Sequence, residues 1–110
     1  EKDEFVKNLA KITNDLKPWA EKIIFLSANP VVEKITAAET NTERIRKNSF
    51  IEEYNNEIKK FCESHSSGFI DTYSRFLANN PNEMLWIDGL HPNERGHQLI
   101  FNAVKKFLFS

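Results

Sequence analysis

The residues best suited to chemistry are Asp88 and His91, three positions apart in the run Asp88-Gly89-Leu90-His91-Pro92-Asn93, just ahead of a segment with helical periodicity. A carboxylate at that distance accepts the Nδ1 proton of the imidazole. It thereby fixes the tautomer and leaves Nε2 to take a proton from a nucleophile. The pair would supply two of the three members of a catalytic triad. Read structurally, His91 would be a surface histidine in a turn beside Pro92, and Asp88-Gly89 an ordinary turn dipeptide. We take the chemical reading for both, because tautomer control needs an acceptor within reach and each residue supplies what the other lacks.

The nucleophile is not apparent. The serines are Ser27, Ser49, Ser64, Ser66, Ser67, Ser74 and Ser110, and none follows a Gly-Asp pair or occupies a Gly-x-Ser-x-Gly elbow. Ser27 is the best placed, at the end of an apolar run where sites of parallel sheets gather. His97, inside the following helical segment, reads as packing or solvent-facing. His65 sits near a helix end, where a partial positive charge is favourable. A metal site from His91, His97 and Asp88, with His65 or Cys62 added, would match no compact ligand motif, so no metal is expected. Cys62 falls on an apolar stripe, where a lone thiol acts as a small hydrophobe.

The elements that must hold the pair follow from periodicity. Phe5, Leu9, Ile12 and Leu16 form one helical stripe with Asp3 as its expected cap, and Pro18 stops it. Asn14-Asp15 falls within this stripe and reads as helix surface. Ile23 to Leu26 is short, continuous and β-rich, as in a strand buried on both faces of a parallel sheet. Val31 to Asn48 reads as a loop with a short helical piece. A second stripe, Ile51, Tyr54, Ile58 and Phe61, is broken by Ser66-Ser67-Gly68 before an expected strand over Phe69 to Tyr73.

Turn formers at Asn79-Asn80-Pro81-Asn82 then lead to the apolar run Met84 to Ile87. A last helix is expected from about Asn93, burying Leu99, Ile100, Ala103, Val104, Phe107 and Leu108, with Gly96 permitting close approach. The aromatics Trp19, Phe25, Phe61, Phe69 and Trp86 read as core.

This rhythm defines an α/β class with a parallel sheet. Two strands alone would leave an open edge and an apolar face, so the chain is expected to need more sheet. A preceding segment, a second chain, or strand exchange in a homo-oligomer would each supply it. With 110 residues one domain or part of one is expected, and a start at Glu1 suggests a processed or partial polypeptide. Sixteen acidic residues against fifteen basic ones give a net charge of -1, which argues against nucleic acid as a partner. A single cysteine excludes an internal disulfide. No apolar run has membrane-spanning length. A soluble protein is expected, cytoplasmic by preference, with secretion open if a leader precedes the segment.

The stretch Asp88 to Leu99, DGLHPNERGHQL, resembles the C-terminal catalytic block of the SGNH (GDSL) serine esterase and acylhydrolase family. The resemblance extends through FVKNLAKI (5–12), IIFLSANPVVE (23–33), Tyr54-Asn55 and the strand from Gly68 to Tyr73. It implies a three-layer α/β/α sandwich, flavodoxin-like, of which residues 1–110 would form a single partial domain, the C-terminal half. It implies hydrolysis of carboxylic esters of small-molecule substrates, with Asp88 and His91 matching the acid and base. The family's serine and oxyanion-hole residues match nothing in this chain, so the chain alone is expected to be inactive. The alternative is a non-catalytic binding or structural half-fold that associates through its sheet edge.

Overall fold

The structure, a computed structural model, describes residues 2–36 and 47–109. Its centre is a parallel pair of short strands, β1 (Ile24–Leu26) and β2 (Gly68–Ile70), with Ile24 opposite Gly68, Phe25 opposite Phe69 and Leu26 opposite Ile70. The ladder runs one step further at each end, through Gly68 N to the Ile23 carbonyl and Ser27 N to the Ile70 carbonyl.

Strand alternation sends Phe25 and Phe69 to one face. There α1 (Lys2–Leu16) and α3 (Asn48–His65) cover them, and Leu9, Ile58, Phe61 and Cys62 form the buried cluster. Burying a side chain of leucine or phenylalanine size stabilises by about 1.5–3 kcal/mol. Phe25 and Phe61 meet edge to face, their ring centroids 6.0 Å apart. Burial, with Glu63 nearby, pushes the Cys62 thiol above its ordinary pKa and keeps it in the neutral form. The opposite face meets α6 (Glu94–Phe109), where the Phe107 ring lies against Gly68 so closely that a Cβ there would meet it at 3.0 Å. Helices on both faces make this an α/β sandwich, as expected.

The remaining elements are α2 (Glu33–Thr36), α4 (Thr72–Ala78) and α5 (Pro81–Met84). The first is the short helical piece expected after Val31; the rest of that expected loop, residues 37–46, lies outside the described residues. The other two correct the sequence reading. The strand expected to reach Tyr73 ends at Ile70, because Asp71 caps a helix instead. Its carboxylate accepts from Ser74 N at 3.1 Å and from Ser74 Oγ at 2.7 Å. Asn80 likewise accepts from Asn82 N ahead of Pro81, which is preorganised for a first helical turn.

Burial also departs from expectation. The first strand is not enclosed on both faces: Leu26 is 38% exposed, since among the described residues β1 pairs only with β2 and the covering Phe107 ring sits at the Gly68 end. Trp19 and Trp86 are not core, being 86% and 60% exposed, one in the turn after α1 and the other in the loop before α6. On the last helix only Ala103 of the expected stripe is buried; Leu99, Ile100 and Val104 are half-buried, and Phe107 and Leu108 are exposed. Asp3 lies inside the first turn of α1 rather than capping it, where its charge favours the dipole. Asn14 and Asp15 are exposed helix surface, as read.

Gly96 is a place where the fold demands the absence of a side chain. A Cβ there would collide with the Met84 carbonyl oxygen and come within 2.9 Å of the Pro92 side chain. Alanine gains about 1 kcal/mol of helix propensity over glycine. A backbone carbonyl cannot rotate away, so overpacking wins. Gly96→Ala is expected to destabilise by a net amount of about 1–3 kcal/mol, read as a lower urea midpoint. A midpoint equal to the parent's would show that α6 does not sit this close.

Candidate active site

The site is built on the loop between α5 and α6. Leu85 and Pro92 form an isolated antiparallel bridge, closed by Trp86 N donating to the His91 carbonyl at 2.8 Å and Asn93 N to the Met84 carbonyl at 3.0 Å. Between them Trp86 to Gly89 makes a tight turn, with Gly89 N donating to the Trp86 carbonyl at 2.9 Å. Gly89 has φ of +70°, and a Cβ would press on Val32 and Ile35 at 3.2 and 3.1 Å. Glycine answers both constraints.

Within this loop the expected pair is assembled. His91 Nδ1 lies 2.6 Å from Asp88 Oδ2, while Asp88 Oδ1 accepts from Leu90 N at 2.9 Å and from His91 N at 3.2 Å. One carboxylate oxygen orders the backbone and the other orients the ring. Such a contact has the ring donating from Nδ1, so Nε2 carries the lone pair in the neutral imidazole. Among the described residues Nε2 has no hydrogen-bond partner, and the His91 side chain is 74% exposed. The ring can therefore accept a proton from a group brought to it.

The surrounding elements hold the loop through amides. Asn93 caps α6 by accepting from Gly96 N at 3.0 Å, and its Nδ2 donates to the carbonyls of Glu83 and Leu85. Asn29 Nδ2 donates to the Leu90 carbonyl at 3.1 Å, and Val32 N to the Gly89 carbonyl at 2.9 Å. The segment carrying Asn29 and Val32 is in turn gripped by α3. Asn55 bonds both N and O of Ala28, at 2.8 and 3.1 Å, and Asn48 bonds both N and O of Val31, at 2.8 and 3.0 Å. Sequence reasoning did not single out Asn29 or Asn48, and Asn55 entered only as part of a resemblance. The legible signal was the seven-residue spacing of Asn48 and Asn55, which puts both on one face of α3.

Ser27 is engaged elsewhere. It is buried at the strand ends, its Oγ accepts from Tyr73 N at 2.9 Å and pairs with Thr72 Oγ1 at 3.2 Å, and Thr72 Oγ1 donates to the Ser27 carbonyl. It stitches β1 to the start of α4. Nearby, Tyr73 donates to Glu52 Oε2 at 2.5 Å, and burial followed by that carboxylate raises its pKa. His65 closes α3, with its ring stacked on Phe61 at 3.9 Å and Nδ1 against the Phe61 carbonyl. His97 is exposed on α6, and no group of three His, Cys, Asp or Glu side chains arranged for a metal occurs among the described residues. A concavity between α4, α5 and α6, lined by Arg75, Met84, Arg95 and Leu99 among others, does not include the pair.

Residues 2–99 match the model of the GDSL-like lipase/acylhydrolase family, and the chain belongs to that family. Solved structures similar in fold include the esterase domain of the ORF1 protein from the zebrafish ZfL2-1 retrotransposon, with TM-score 0.76 and 16% identity over 98% of this chain and 59% of that one. Axe2, an acetylxylan esterase from Geobacillus stearothermophilus, matches with TM-score 0.71 and 22% identity over 100% of this chain and 48% of that one. A GDSL-like lipase from Bacteroides thetaiotaomicron matches with TM-score 0.73 and 22% identity over 98% and 52%. The chain thus spans about half the length of the structures it resembles. Among curated proteins no sequence matches. No helix among the described residues is long and apolar enough to cross a membrane.

The imidazole hydrogen bond, reinforced by the Leu90 amide, lowers the Asp88 carboxyl from 3.8 to about 2. A carboxyl whose folded pKa is depressed stabilises the folded loop fully above its unfolded value and loses that contribution as pH falls through the folded one. The window here runs from 3.8 down to about 2. Carboxyl-carbon NMR is expected to show Asp88 titrating near the lower figure, and a midpoint at the upper one would mean that the pair is not formed in solution.

Proposed function

We propose that this chain is the C-terminal part of a serine ester hydrolase, to which it contributes Asp88 as the orienting acid and His91 as the general base. The observation that carries the reading is the 2.6 Å contact between Asp88 Oδ2 and His91 Nδ1, with Nε2 left open to solvent. Family membership over residues 2–99 supports it, as does the chain's spanning about half of similar esterase structures. The serine and the oxyanion donors come from sequence outside residues 1–110.

The chemistry is acyl transfer. His91 Nε2 takes the hydroxyl proton of the supplied serine as its oxygen attacks the ester carbonyl, and then delivers that proton to the leaving alcohol. Asp88 holds the ring in the productive tautomer and stabilises the imidazolium formed on the way. A water activated by the same Nε2 releases the acid from the acyl-serine. The substrates are small-molecule carboxylic esters, and serine acyl transfer needs no cofactor.

A fluorophosphonate probe, which labels activated serines, tests the assignment directly. The 110-residue chain is expected to stay unlabelled and to hydrolyse aryl esters no faster than buffer. Labelling is expected once the serine-bearing sequence is supplied, in the same polypeptide or as a second chain. Robust labelling of the chain alone would mean that one of its own serines is the nucleophile.

In the labelled assembly, Asp88→Asn is expected to lower turnover by about 10⁴-fold through loss of the correct tautomer. Thermal unfolding measured at pH 7 separates this from collapse of the loop. A variant that unfolds early yet turns over normally would remove the catalytic assignment and leave Asp88 a structural role.

A non-catalytic half-fold is the second reading, favoured by one observation: the two-stranded sheet leaves Leu26 partly bare. It requires a stable association through the sheet edge, by strand exchange between copies or with another chain, that brings no serine to His91.

A further inference from the structure

Trp86 stands out as a large apolar side chain that the fold does not use. It is 60% exposed, and Ile87 at the tip of the same turn is 91% exposed. The bridge decides which way Trp86 points. Leu85 pairs with Pro92 and is buried, so the next pair along, Trp86 and His91, projects to the opposite, outer face. The bond from Trp86 N to the His91 carbonyl holds the two directly across from one another. Residues so opposed in a regular antiparallel pair have Cβ atoms about 4.5–5.5 Å apart, which puts the indole on the same side of the loop as the imidazole.

We infer that Trp86 is a specificity-determining residue: its indole forms a shelf beside His91 that receives the leaving alcohol of the ester, and it selects alcohols presenting a flat apolar ring face. The inference rests on the ester-hydrolase reading of Asp88 and His91. His91 Nε2 returns to the alcohol oxygen the proton taken from serine, as the bond from acyl carbon to that oxygen breaks. The departing group therefore passes next to the imidazole, on the face that Trp86 shares. A flat indole gains most from a planar aryl ring or from the C–H face of a pyranose, and little from a short alkyl chain. Being exposed, Trp86 is replaceable without opening a core cavity.

Three acetate esters distinguish the cases in an assembly that carries the serine: phenyl acetate, an acetylated methyl pyranoside and ethyl acetate. Trp86→Ala is expected to lower kcat/KM about tenfold on at least one of the two ring esters and less than about twofold on ethyl acetate, with Trp86→Phe recovering most of the loss. Which ring ester suffers tells an aryl from a sugar alcohol. An equal loss on all three, or no loss on any, overturns the shelf.

Failure of the ester-hydrolase reading shows separately, as absence of fluorophosphonate labelling in the parent assembly. The shelf is then judged on the chain itself with Trp19→Phe, so that Trp86 supplies the single indole signal. Titration with phenol or methyl xyloside is expected to shift the Trp86 Nε1–H resonance together with the His91 ring protons. Failure of both ligands to move them overturns the shelf.

Discussion

The site depends on how one carboxylate is divided. Asp88 Oδ1 accepts two backbone amides of its own loop, and Oδ2 faces the His91 ring. The spacing of three residues makes this possible. It is short enough for the aspartate to close a turn over Leu90 and His91, and the turn carries the imidazole back over the second oxygen. A carboxylate spending both oxygens on the backbone would leave the ring free to rotate. One spending neither would have no fixed position from which to orient it.

That loop has no regular secondary structure of its own, so its position is inherited. The inheritance runs through side-chain amides, which carry a donor and an acceptor as a peptide group does and can pair with both halves of one. Asn48 and Asn55, two helical turns apart on α3, each grip one residue of the segment after β1 in this way. The gripped segment passes its position to the Gly89 and Leu90 carbonyls through Val32 and Asn29. The longest helix of the fold is thereby coupled to the pair without touching it. Replacing an asparagine by aspartate at either position would keep the shape and lose the donor, leaving a carbonyl unpaired beside a new charge.

What was legible in the sequence divides along physical lines. The contact between Asp88 and His91 was readable because a spacing of three residues lets one side chain reach the other. Long stripes were readable because their apolar residues recur at helical spacing, hence α1, α3 and α6. The short α4 and α5 were not, since a helix of one or two turns is decided by its cap. Asp71 and Ser74 outweighed the β-rich look of Phe69 to Tyr73. Trp19 and Trp86 were read as core because bulky aromatics usually are, and periodicity does not say that a residue lies in a turn. The asparagine relay was hidden for a related reason: its partners are backbone groups, which every residue carries, and only the fold brings them opposite.

The sheet and the pair are both open to solvent. Among the described residues β1 is paired on one side only, Leu26 meets solvent, and the loop before α6 leaves the His91 side chain exposed. An imidazole in that setting gains little from nearby dipoles, because water screens them. Enclosure lowers the local dielectric and strengthens each hydrogen bond to the developing charge. On the proposed reading, the sequence that covers the sheet also brings the serine and shields the ring. Folding of the sandwich and activation of the site are then one event, and a half that is incompletely packed is also chemically silent. On that same reading the imidazole would meet its nucleophile only together with the surface that excludes water.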